Sequence, residues 1–262
     1  MHTQPRLANL GLAAALPLLL SSFLFSSFSV AQDGMDERTS GKLKAAMAAK
    51  DRPEGDRKRD RNRKPLETLE FFGFSDDMKV LEISPGGGWY TRFLMPTLAD
   101  RGKLYLTLGA SRVSNLSGVP GYKKAEVLEG ANFGERQPDG RFNVDAFSLG
   151  MDDLDLALTF RNMHNFSESG RANINKAVFE GLKSGGHYGV VDHTRRHMQP
   201  DSSEVGRRID PVLIIKEVES AGFDFVGYSD LHYKPDDELR YEVGRASVTG
   251  NTDRFTLLFR KP

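Results

Sequence analysis

VLEISPGGGWYTRFL, residues 80–94, runs from an apolar stretch through an acid and a glycine turn into a helical pattern. It reads as a strand, a tight turn and the first turns of a helix. Glycines in such a turn let the backbone approach a ligand that any Cβ would push away, and the first N–H groups of the helix point at the same place. The same spacing also suits a strand-to-helix turn that holds no ligand, so its surroundings decide its meaning.

Outward from this run, strand and helix patterns alternate. Pro65 opens a short helix with Leu66, Leu69 and Phe72 on one side, and Gly73 closes it. Lys79–Ser84 is the first strand, and the helix after it should bend near Pro96, which cannot donate to the ladder. Further strands are expected at Lys103–Leu108, Ala125–Leu128 and Asp155–Phe160, the last apolar enough to be buried on both faces. A helix over Ser169–Lys183, stopped by Gly185 and Gly186, leads to a strand at Tyr188–Asp192. A helix capped by Asp210 and begun by Pro211 follows, and Phe223–Tyr228 and Arg254–Phe259 close the pattern as strands. Strands alternating with helices predict a mostly parallel sheet covered on both faces.

The first thirty residues have another character. Arg6 supplies a positive start, Leu10–Phe28 is apolar, and Ser29-Val30-Ala31 is a small-x-small cleavage site before Gln32. Residues 1–31 are thus expected to be a signal peptide, with a periplasmic or secreted product and no stable membrane span after cleavage. The chain has no cysteine, which excludes disulfides, thiolate metal sites and a cysteine nucleophile. Its 36 basic and 36 acidic residues balance, and no nucleic-acid partner is expected. Residues 32–64 read as a polar, charged arm, and 65–262 as a single domain. Asp51–Lys64, DRPEGDRKRDRNRK, reads as a solvated linker or polar helix face.

Several motifs together carry a family resemblance: PLETLEFFGF (65–74), VLEISPGGGWYT, LTFRNMHNF (158–166), LKSGGHYGVVDH (182–193), RIDP (208–211) with KEVESAGF (216–223), and TDRFTLLFRKP (252–262). With them the chain from about Asn62 to Pro262 resembles the class I S-adenosylmethionine-dependent methyltransferases, most closely exported ones of Gram-negative bacteria. The resemblance implies a Rossmann-like methyltransferase fold, α/β, with a seven-stranded, mostly parallel sheet, one antiparallel strand near its edge, and helices on both faces. The cofactor, S-adenosylmethionine, would lie across the carboxyl ends of the strands. Glu82 takes the place of the first-strand acid, and Gly86 and Gly88 those of the glycines beneath the methionine part, with Gly87 and Trp89 completing that wall. Ser84 stands where the family has its first glycine. The second strand ends LTLGAS, without the acid that grips the ribose hydroxyls, and Thr107 or Ser111 would be weaker substitutes.

Other nucleotide sites fit less well. The third position of a dinucleotide fingerprint holds Thr91, and no Gly-Lys-Ser/Thr follows a strand. Candidate chemistry lies in Arg161, Asn162, His164 and Asn165. His164 would take a proton, Asn162 or Asn165 would orient the acceptor, and Arg161 would hold an anionic group; helix capping and a packed histidine account for the same residues. Asp192 and His193 are candidate substrate contacts on a loop, with Arg195 and Arg196 suited to a carboxylate or phosphate. These observations predict methyl transfer to a small molecule. Two alternatives remain: a non-catalytic binding protein on the same fold, and a metal-assisted hydrolase using His164, Asp192, His193 and His197.

Overall fold

The computed structural model describes Met1 and residues 34–262, so the expected signal segment, Met1 apart, lies outside the described residues. The unit spanning Gln32–Pro262 is built on one seven-stranded sheet. Its strands are β1 (Lys79–Ile83), β2 (Lys103–Thr107), β3 (Glu126–Val127), β4 (Leu154–Phe160), β5 (Leu182–His193), β6 (Asp224–Ser229) and β7 (Arg254–Arg260). They lie in the order β3-β2-β1-β4-β5-β7-β6, and β7 runs antiparallel to both its neighbours while the other pairings are parallel.

The helices are α1 (Glu37–Met47), α2 (Glu54–Arg57), α3 (Asp60–Arg63), α4 (Pro65–Phe71), α5 (Thr91–Leu98), α6 (Glu168–Gly181) and α7 (Pro211–Ser220). Their local causes are visible in the sequence. Asp36 caps α1 by accepting from the Thr39 amide, Ser167 caps α6, and Asp210 caps α7 ahead of its Pro211. Alternate residues of the central strands feed two cores. Val80, Leu156 and Leu158 join Leu43, Leu69, Phe93 and Leu94, whereas Leu81, Ile83 and Ala157 join Ile174, Val178, Ile214 and Val218. Thus α1, α4 and α5 cover one face, and α6 and α7 the other. A Cβ at Gly189 would lie 2.7 Å from the Phe72 ring, so this glycine sets how closely the end of α4 seats on β5.

Two expectations change. Gly185 and Gly186 do not stop a helix, because α6 ends at Gly181 and the two glycines sit inside β5, where the register against β4 shifts between Leu154 and Leu156. Pro96 lies inside α5, which ends two residues later. The charged arm is also more ordered than a solvated linker. Arg52 and Arg63 are buried, and Arg52 pairs with Asp60 and accepts the faces of Trp89 and Phe93 against its guanidinium. Among the described residues no helix is long and apolar enough to cross a membrane.

Candidate functional site

The strand order reverses at β1, with β2 on one side and β4 on the other, and the crevice outside the carboxyl ends of such strands is where open α/β sheets bind ligands. The backbone there is held in an unusual conformation. Ser84, Leu108 and Arg161, the residues that follow β1, β2 and β4, all have left-handed φ values of 52°, 54° and 64°. Non-glycine residues pay about 1–2 kcal/mol for this conformation, and such strain collects at ligand sites. It also explains why glycine suits the Ser84 position.

A cavity of about 230 Å³ opens at this point, lined by Glu82, Ser84, Pro85, Gly86, Gly87, Trp89, Tyr90, Phe160, Arg161 and Asn162, and roofed by Asp56, Arg59 and Arg63 from the arm. The three glycines of the turn do two different jobs. A Cβ at Gly86 or Gly87 would meet nothing within 4 Å, so both leave open space at the cavity. At Gly88 a Cβ would lie 2.5 Å from Leu116 Cδ1, because a 3-10 helix, Ala110–Leu116, packs there. Gly88 thus has a packing reason of its own beside its expected place in the ligand wall. With φ of 76° as well, Gly88→Ala is expected to destabilise the fold by about 1–3 kcal/mol, measured by urea unfolding. A loss below about 0.5 kcal/mol would remove this account of the turn.

Glu82 is almost wholly buried, and its carboxyl accepts from the Thr91 hydroxyl at 2.6 Å. Burial pushes its pKa up to about 7, only partly offset by that hydrogen bond. Trp89 is held by its indole N–H donating to the Asp56 carbonyl, and the Arg63 guanidinium lies 4.3 Å over its ring. Tyr90 stacks on Phe160 with centroids 3.5 Å apart, and burial raises its phenol to about 12, so it stays neutral.

The RNMHN segment divides. Arg161 and Asn162 line the cavity. Asn162 Nδ2 donates to the carbonyls of Ile83 and Ser84, tying the end of β4 to that of β1 and leaving Oδ1 for a ligand. His164 and Asn165 do not line this cavity. His164 is buried, with Nδ1 2.6 Å from Asp192 Oδ1, and Asn165 serves the turn through its backbone. Asp192 and His193 lie on β5, not on a loop. Asp192 is fully buried, accepting from the His164 and His193 amides as well as facing the His164 ring, so its carboxylate is engaged in holding His164.

A second cavity, of about 320 Å³, shares Arg59, Arg63 and Arg161 with the first and adds His193, Arg207 and Arg254. Its far wall comes from the segment after β6, through Val243, Gly244, Thr249, Gly250 and Thr252. His193 Nε2 accepts from Arg161 Nε at 3.1 Å and its Nδ1 meets Thr252 Oγ1 at 2.9 Å. Burial and the positive charges around it hold its pKa well below the usual histidine range, so it is a neutral acceptor for Arg161. Arg195 and Arg196 are engaged elsewhere, with Asp201 and the Glu238 carbonyl.

Neither expected substitute for the ribose acid reaches the first cavity. Thr107 Oγ1 is buried without a partner, and Ser111 faces a different depression beside Ala110 and Val113. The proposed metal set does not converge either. His197 pairs with Asp210, both His193 nitrogens are engaged, and among the described residues no group of three or more side chains suits a metal.

The backbone agrees with solved structures. A SAM dependent methyltransferase from Aquifex aeolicus superposes with a TM-score of 0.53 at 17% identity, over 84% of this chain and 97% of that one. This is the Rossmann-like methyltransferase fold. The [4+2]-cyclase SpnF matches it with a TM-score of 0.52 at 17% identity, over 79% of this chain and 81% of its own. The S-adenosylmethionine-dependent methyltransferase SibL, in its apo form, gives 0.51 at 11%, over 78% and 55%. No protein-family model and no curated protein sequence matches the chain. At these identities the likeness establishes the methyltransferase fold, and the site must supply the chemistry.

Proposed function

We propose that this protein is an exported enzyme that binds S-adenosylmethionine at the Gly86–Gly87 turn and transfers its methyl group to a small-molecule acceptor. The observation that carries the reading is the open backbone at Gly86 and Gly87, a cradle that a side chain would fill, directly at the switch point of the sheet. The amino-acid end of the cofactor suits the residues present, with Glu82 and the free Asn162 Oδ1 toward its ammonium group and Arg59 or Arg63 toward its carboxylate. The ribose end has no carboxylate to meet it at the end of β2, so binding rests on the methionine end.

The cofactor supplies a sulfonium methyl that leaves by in-line displacement. Such a step profits chiefly from alignment, and the leaving thioether needs no protonation. The chain's part is therefore geometric. The stacked Tyr90–Phe160 pair gives a rigid wall, Asn162 locks the ends of β1 and β4 together, and the arm adds Asp56, Arg59 and Arg63 to the lining. His164, bound through Nδ1 to Asp192, is a positioning residue for this end of the sheet. The binding-protein reading keeps one specific support, the missing ribose acid.

Gly87→Leu separates ligand space from folding. Gly87 is exposed and no atom crowds it, so the variant is expected to keep its stability within about 0.5 kcal/mol. Its affinity for S-adenosylhomocysteine should fall by at least about tenfold, worth ~1.4 kcal/mol. Unchanged affinity in calorimetry would place the cofactor elsewhere.

A further inference from the structure

Among the described residues, the second cavity contains arginines that no carboxylate pairs with. Arg59 pairs with Asp56 and Arg207 with Glu242, which leaves Arg63, Arg161 and Arg254. Among the described residues none of these three has a carboxylate within ion-pair distance. The Arg63 guanidinium rests on Trp89 and donates to no acceptor. Arg161 uses only Nε, on neutral His193. Arg254, which lines the cavity, donates one N–H to the Asn62 carbonyl, and its Nε is buried without a partner among the described residues.

The three charges also act on one another. Burial lowers Arg63 to about 9 and Arg254 to about 10, and the charge of Arg161 is the next cause for both. Desolvated like charges are costly, and they persist where a ligand supplies the opposite charge. Two carboxylates reach them only through their fields: Asp192, which favours the charged forms of Arg161 and Arg254 but is itself hydrogen-bonded to His164, and Asp253, which favours that of Arg254 and accepts from the Lys234 amide. Neither carboxylate lies within ion-pair distance of the three guanidiniums, which keep unused N–H donors. The carboxylate of a bound S-adenosylmethionine would engage at most Arg59 or Arg63, and the molecule is a net cation at neutral pH, so Arg161 and Arg254 would still lack a counter-ion.

We propose that the cavity between Arg63, Arg161 and Arg254 binds a phosphoryl group, and that the methyl acceptor is a small phosphorylated molecule. A phosphate monoester is a dianion whose three terminal oxygens suit planar guanidinium forks, and it offers several arginines more acceptors and more charge than a single carboxylate does. The cavity is recessed and holds about 320 Å³, which suits a small molecule rather than a polymer backbone. Its shared wall with the first cavity, through Arg59, Arg63 and Arg161, puts the anchored molecule beside the glycine turn. Naming this molecule the acceptor rests on the methyl-transfer reading; the anion site itself does not.

The test is calorimetric titration of the purified full chain with inorganic phosphate in a low-salt, phosphate-free buffer. Phosphate is expected to bind with Kd below about 1 mM, and Arg161→Met and Arg254→Met should each weaken it by about tenfold or more. A second readout separates a ligand site from a structural cluster. Without phosphate each variant should melt at a higher temperature than the parent, because a desolvated like charge is gone, and phosphate should stabilise the parent most. Should Arg254→Met fail to fold, Arg161→Met alone carries both readouts. No heat at about 10 mM phosphate, equal binding by parent and variants, or binding of succinate in place of phosphate would each overturn the proposal. S-adenosylhomocysteine titrated into the same sample keeps the two readings apart. Its binding without phosphate binding sinks the phosphoryl site alone, and phosphate binding without it sinks methyl transfer alone.

Discussion

Asp237→Ala is expected to lower the stability of this fold by about 3–5 kcal/mol, more than any other single change considered. Arg208 and Asp237 are both wholly buried and meet at 2.9 Å. Arg208 also donates to the carbonyls of Tyr241 and Thr194, and Asp237 accepts from the amides of Leu239 and Asp253. The pair thus fastens the long segment between β6 and β7 to the end of β5. Removing the carboxylate strands a buried guanidinium and two amides at once. Replacing both partners by apolar residues, Arg208→Met with Asp237→Leu, should recover most of the loss, since a buried pair contributes little over a well-packed apolar contact. Urea unfolding of the parent, both single variants and the double variant measures this. A single-variant loss under about 1 kcal/mol would show that the pair is not desolvated as described. Because the segment carries Val243, Gly244, Thr249 and Thr252, its loosening should also open the arginine-lined cavity.

The second large effect concerns Glu82 and has a defined pH window. Its folded-state pKa is raised from 4.5 to about 7, chiefly by burial. The folded protein therefore holds a proton that the unfolded chain releases. The associated stability is fully present below about pH 4.5, falls as pH rises toward 7, and stays lost above it. Two and a half pKa units amount to about 3 kcal/mol. Glu82→Gln keeps an oxygen for the Thr91 hydroxyl and removes the charge. It is expected to be about 3 kcal/mol more stable than the parent at pH 8 and equal to it near pH 4, by urea unfolding across that range. Parallel pH profiles for the two proteins would show that Glu82 is not desolvated in the fold. A carboxylate kept at such cost on a cavity wall suits a cationic ligand, so the variant should gain stability and lose affinity for S-adenosylmethionine.

The fold was legible in the chain because its elements carry local causes. The apolar Val80–Ile83 run, the Asp210–Pro211 helix start and the final RFTLLFR strand need no tertiary information to be recognised. Legibility failed where one residue type serves two purposes. Gly88 sits within the same glycine run as Gly86 and Gly87, and only the packing of Leu116 distinguishes it. Gly185 and Gly186 read as a helix stop because glycine ends helices and bends strands alike. The arm was hardest. A run of mixed charge gives the same composition whether solvated or folded over a cavity, and Arg52, Asp56 and Arg63 become informative only through Trp89. Arg254 opens a strand 93 positions after Arg161, and no sequence pattern links them. The signal was the presence of arginines at apolar strand ends, which charge counts over the whole chain conceal.

Whether the Gly86–Gly87 cradle binds S-adenosylmethionine is decided by calorimetric titration of the purified protein with that cofactor. A single site is expected, with a Kd in the micromolar range, about −8 kcal/mol, competed by S-adenosylhomocysteine. A folded protein that gives no binding heat with either compound at about 1 mM would contradict it, and would mean that this sheet and its glycine turn hold another ligand.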